Sequence, residues 1–168
     1  MTNTLYRFTF SCIALLLGAC ERSFVFNEYQ SLPNIGWHKD SIASFKIPEI
    51  DLDSTKTYHL FINARNDNTY KYSNLFLITT LNFPEGKQQI DTLEYEMAYP
   101  NGEWMGTGNH ILENKLWYKE GFSFKEKGNY SLNISHAMRK NGKAEGIEFL
   151  KGITDIGFRI ETAANTTN

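Results

Sequence analysis

The stretch GNYSLNISHAMR, residues 128–139, alternates with a period of two. Tyr130, Leu132, Ile134 and Met138 fall on one side, and Asn129, Ser131, Asn133 and Ser135 on the other. Successive side chains of an extended backbone point to opposite faces, whereas a helix would place its apolar positions three and four apart. The segment therefore reads as a strand buried on one face. His136 continues the inward side and is expected to end the strand as a capped, buried histidine.

The same alternation recurs outward along the chain. In TYHLFINAR (57–65), Tyr58, Leu60, Ile62 and Ala64 oppose Thr57, His59, Asn63 and Arg65, and in ITDIGFRIE (153–161), Ile156, Phe158 and Ile160 oppose Asp155, Arg159 and Glu161. Further strands are predicted over 23–29, 41–47, 74–83, 89–97 and 116–124, separated by turn material such as PEGK, PNGE and KEKG. NLFLITTLNF (74–83) is apolar on both faces near its start, which marks it as a central strand. Eight strands without intervening helices predict an all-β, antiparallel sandwich in a single domain over 23–161. Periodicity does not choose between jelly-roll and immunoglobulin-like topologies. Two connections exceed hairpin length, Ala98–Lys115 with Trp104 among three glycines and Arg139–Phe149, and long loops in compact domains tend to carry function.

The N-terminal segment is of another kind. Arg7 precedes an apolar run from Phe8 to Ala19 that tapers to Leu17-Gly18-Ala19-Cys20. A helix crossing a bilayer needs about 20 apolar residues, so the run is too short to span and instead has the three parts of a secretory signal peptide. Leu-Gly-Ala-Cys resembles a bacterial lipobox, with Cys20 as the lipid attachment point and mature N-terminus. Residues 1–19 are expected to be a cleaved signal, 20–22 a short stalk, and 162–168 a small polar flexible tail. Cys12 would leave with the signal, and acylation of Cys20 would leave no thiol for a disulfide, a zinc site or a nucleophile.

Composition excludes more. The chain of 168 residues carries 17 basic and 19 acidic side chains, and loss of Arg7 with the signal makes the balance −3. Nothing in that balance favours nucleic acid. His38, His59, His110 and His136 form no close ligand pair, and no nucleophile elbow, phosphate loop or dinucleotide fingerprint occurs. Glu94 and Glu96 share one strand face about 6–7 Å apart, a spacing a glycosidase could use but also that of any solvated strand. Asp67 lies among amides in NARNDNTYKYSN (63–74), which reads as a hydrogen-bonded turn because the spaced acidic ligands of a calcium loop are missing. Trp37, Trp104 and Trp117 have the chemistry to stack on a sugar; Trp117, opposite Leu116 and Tyr118, is exposed or covers a second apolar face.

Taken in order, the lipobox, FNEYQSLPNIGWHKDS, LFINARNDNTYKYSNLFL, DTLEYEMAYPNGEWMGTG, ENKLWYKE, GNYSLNISHAMR and LKGITDIGFRIE resemble the GldH gliding-motility lipoprotein family of Bacteroidota from about Phe24 to Glu161. The resemblance implies a non-enzymatic lipoprotein of the cell envelope, most naturally of the outer membrane, that supports gliding and the type IX secretion machinery. Implied partners are other gliding and secretion lipoproteins and outer-membrane components. It implies no cofactor besides the covalent lipid on Cys20, and no catalytic or metal residues. The loop bearing Trp104, Met105 and His110 is the candidate partner contact. The alternative reading is a surface carbohydrate-binding lipoprotein that uses exposed tryptophans, Trp37 and Trp104 among them.

Overall fold

A computed structural model describes residues 24–163. The signal segment, Cys12, Cys20, the stalk and residues 164–168 of the expected tail lie outside the described residues, whereas Thr162 belongs to the last strand and Ala163 N–H donates to Thr57 O. Eight long strands build the domain: β1 (Phe24–Ser31), β3 (Ala43–Ile47), β4 (Tyr58–Asp67), β5 (Asn74–Asn82), β6 (Gln88–Glu96), β8 (Ile111–Phe122), β9 (Tyr130–His136) and β11 (Ile153–Thr162). Three two-residue strands join them: β2 (Trp37–His38), β7 (Thr107–Gly108) and β10 (Phe149–Leu150). All pairings are antiparallel, in sheets ordered β1-β11-β4-β8-β7 and β3-β9-β5-β6, with a small β10-β2 pair beside them.

The pairing is nested. Among the long strands the first joins the last, β1 with β11; the second joins the second-last, β3 with β9; then β4 joins β8, and β5 joins β6. A long hairpin rolled on itself in this way is a jelly roll, and an immunoglobulin-like order is excluded.

Rolling sorts the connections between two poles. At one pole lie Phe24, opposite Glu161, together with the 48–57, 83–87 and 123–129 connections. At the other lie the connections 32–42, 68–73, 97–110 and 137–152, which include both loops singled out as long. A ten-residue strand such as β11 separates the poles by about 30 Å at 3.3 Å per residue.

The inward faces match the alternation. Tyr130, Leu132, Ile134, His136 and Met138 are all buried, as are Tyr58, Leu60, Ile62 and Ala64. Phe45 of β3 meets Phe158 of β11 across the sandwich at 6.2 Å between rings. Each such fully buried side chain is worth about 1.5–3 kcal/mol of transfer free energy. At the first pole Phe83, Phe122, Phe124 and Tyr130 form an aromatic cluster of edge-on and tilted rings.

β4 departs from a one-sided strand. Its outward Phe61 and Asn63 are as buried as its core face. Trp117 packs on Phe61 at 4.4 Å and the Lys115 ammonium lies 3.9 Å above the same ring. Tyr29 receives the Asn63 amide and donates to Glu113, which also pairs with Arg65 at 2.9 Å. Long amphipathic side chains thus fold over a central strand that the polar pattern had left open. Burial, then the Glu113 hydrogen bond, pushes the Tyr29 phenol up to about 12.

Candidate functional site

The pole far from Phe24 is knit by long-range backbone bonds. Lys39 N–H donates to Glu148 O, Asp67 N–H to Gly152 O, and Met97 N–H to Ser73 O, all within 3 Å. The β2–β10 pair sets Trp37 opposite Leu150 and His38 opposite Phe149. Beneath it, Trp37 is fully buried; its indole donates to Ser41 O at 3.1 Å and meets His136 edge-on at 5.3 Å. Trp37 therefore closes the core and presents no face to a sugar, which corrects the expectation that it stacks on a ligand. The physical reason is the short β2–β10 pairing, invisible to local periodicity, which pulls the loop down onto the core.

His136 is buried as predicted and its Nε2 lies 3.0 Å from the Trp37 carbonyl. A carbonyl only accepts, so Nε2 carries the proton and Nδ1 is bare; Nδ1 has no partner. Burial holds this imidazole below its ordinary range, ahead of the opposing pull of the Trp37 hydrogen bond.

The loop after β6 is shorter than expected, because β7 and β8 claim its second half from Thr107 onward. Trp104 is half-buried and packs on Tyr70 at 6.1 Å, and Tyr70 in turn meets Tyr72 at 5.7 Å. Met105 is half-buried and its N–H bonds to Met97 O, while His110 stands exposed at the β7–β8 turn. The three candidate contact residues thus divide: two brace the loop and one faces solvent. Trp117 is 54% exposed, on the outer face of the five-stranded sheet and away from this pole.

Around residues 72–74 three hollows lie side by side. One, of about 630 Å³, is lined by Lys71, Lys140, Lys143 and Lys151 with Tyr72 and Phe149. The second, of about 790 Å³, shares Tyr72 and is lined by Phe76 and Ile78 together with the polar Thr92, Arg139 and Asn141. The third, of about 450 Å³, holds Glu94 and Glu96 with Tyr99; both carboxylates are exposed, and Asn74 donates to Glu94 at 2.9 Å. The lysine hollow escaped the sequence reading, since Lys71 comes from a different loop than the other three. Asp67 accepts from Thr69 N–H and Oγ1 at 2.8 and 2.6 Å, the turn that was predicted. Among the described residues no three His, Cys, Asp or Glu side chains converge as metal ligands would.

Fold and site together define an all-β jelly-roll domain whose two longest connections and three neighbouring hollows gather at the pole far from Phe24, while a fourth hollow, lined by Pro48, Glu49, Leu52 and Asn129, lies at the Phe24 pole. The GldH lipoprotein family model matches residues 24–160. The gliding motility lipoprotein GldH homolog of Christiangramia forsetii is 53% identical over 159 residues, covering 94% of this chain and 96% of that protein. Gliding motility lipoprotein GldH of Flavobacterium johnsoniae is 50% identical over 149 residues, covering 88% and 91%. The chain belongs to the GldH lipoprotein family, and with it to the membrane-anchored lipoproteins of the cell envelope. Among solved structures, that of infectious bursal disease virus, Gx strain, aligns at a TM-score of 0.34 and 14% identity over 85% of this chain and 32% of the viral one, and bears on no functional argument.

Proposed function

We propose that this protein supports gliding motility and the type IX secretion machinery from the outer membrane, held there by lipid on Cys20 after removal of residues 1–19, and that it acts through protein contacts rather than catalysis. Gliding appears in the names of both close relatives. The observation that carries the reading is the division between poles. Cys20 precedes Phe24 by four residues, a reach of at most about 14 Å, so the tether belongs to the first pole and the long loops face away from it. Two or three acyl chains at about 0.8 kcal/mol per buried CH₂ hold such a domain durably, and no other cofactor is required.

Deleting the gene and assaying protein secretion and surface spreading tests the reading, with Cys20→Ala as the internal control. Loss of both, restored by the natural protein and not by Cys20→Ala, supports it; a deletion strain that secretes and spreads normally refutes it. The carbohydrate-binding alternative now rests on Trp117, since it is the exposed one of the three tryptophans. Glycan-array binding lost in Trp117→Ala would promote that alternative, and a flat array would retire it.

A further inference from the structure

The lysine hollow and the apolar hollow beside it are built from separate loops yet share one wall. Lys71 follows β4, and Lys140, Lys143 and Lys151 belong to the connection before β11. Among the described residues none of these four ammonium groups forms an ion pair with a carboxylate. Two carboxylates, Glu145 and Glu148, share the lining, so the hollow keeps a positive excess in a chain whose formal charge is −2. Beyond Tyr72 the second hollow adds Phe76 and Ile78, the latter 38% exposed on the outer face of the four-stranded sheet, among the polar Ser73, Asn74, Thr92, Arg139 and Asn141. Tyr72 itself packs on Tyr70, which packs in turn on Trp104.

We propose that these paired hollows receive one extended segment of a partner protein, its acidic side chains among the four lysines and its apolar side chains against Tyr72, Phe76 and Ile78. The inference deepens the reading that this protein works through protein contacts, and rests on it. Charge complementarity selects an anionic occupant, and unpaired ammonium groups keep that attraction available for steering and register. The apolar surface of Tyr72, Phe76 and Ile78 in the neighbouring hollow decides its class, because an anionic glycan or a phosphate-rich polymer has no apolar side chain to bury on it, whereas an extended polypeptide presents both kinds of side chain in turn. The position fits, since the hollows lie about a strand length from the tethered pole.

Photocrosslinking of the full-length lipidated protein in its own cells tests this directly. A photoreactive phenylalanine analogue replaces Phe149 in the lysine hollow, Ile78 in the apolar one, or Lys56 at the opposite pole as a control, and crosslinked peptides are sequenced by mass spectrometry. Both hollow positions should capture the same partner segment, acidic near Phe149 and apolar near Ile78. Lys140→Glu/Lys143→Glu should cut the yield at least about tenfold at unchanged abundance. Glycan or lipid adducts, a segment without acidic residues, or no crosslink above the Lys56 control would overturn the proposal. Crosslinks to protein at His110 but not at the hollows would sink this inference and leave the contact reading standing; a protein that co-purifies with nothing from mild detergent would sink that reading as well.

Discussion

Nδ1 of His136 is buried with no hydrogen-bond partner, while Nε2–H is committed to the Trp37 carbonyl. Charging this ring would bury an unpaired proton donor, so its folded pKa lies below the unfolded value of about 6.5. The sign follows: as pH falls through the unfolded value the unfolded chain takes up a proton that the folded chain refuses, and stability declines. The melting temperature should therefore drop between about pH 8 and pH 5, and His136→Gln, whose amide can still reach the carbonyl, should flatten the drop. An equally steep profile in the variant would assign the decline elsewhere. Asp91 and Glu161 are separate contributors that act at lower pH. Burial pushes both carboxyls up, but Lys119 and Tyr118 on Asp91, and Lys115 and Arg159 on Glu161, outweigh it and hold both below their ordinary range. Trp37→Ala, which empties a fully buried site, should cost about 3–5 kcal/mol by denaturant titration, a loss a sugar-stacking surface residue would not show.

The strands that alternate cleanly were legible in the sequence, and those that did not alternate were missed for identifiable reasons. Residues 111–115 were expected to be loop, yet they open β8 with Asn114 facing inward. Its amide donates to Asn66 Oδ1 at 2.9 Å and Ala64 O at 3.1 Å, so a satisfied buried amide stands where the pattern wants an apolar residue. Asn114→Ala should cost about 1–3 kcal/mol by leaving Asn66 short of its partner. Two of the two-residue strands, β2 and β10, were invisible because they are more than a hundred residues apart and pair only once the hairpin has rolled. Where the connection into β11 turns, Gly152 has φ +89° and an added Cβ would lie 2.1 Å from the Tyr70 nitrogen. At Gly86, with φ +88°, an added Cβ would meet nothing within 4 Å. Gly152→Ala should therefore lower the melting temperature far more than Gly86→Ala, whose cost is limited to about 1–2 kcal/mol of backbone strain. Equal losses would mean that the packing of residue 152 on Tyr70 is not what holds this corner.

Across the whole molecule, nested pairing turns a linear order of strands and loops into two poles. The family and the all-β class were readable from residues in sequence; the pole was not, because it gathers loops that lie up to a hundred residues apart. The same rolling brings separate loops together: half-buried Trp104 packs on Tyr70, which in turn meets Tyr72, and the lysines that frame the hollow come from two loops that meet only in the fold. Tether at one end and contact at the other is the central claim, and complementation of a deletion strain tests it most directly. Secreted protein is measured in cells carrying the natural gene, Cys20→Ala or Lys140→Glu/Lys143→Glu at matched abundance. The natural gene should restore secretion and each variant should fall short, the first by losing the tether and the second by losing the contact. Full restoration by both variants would contradict the account.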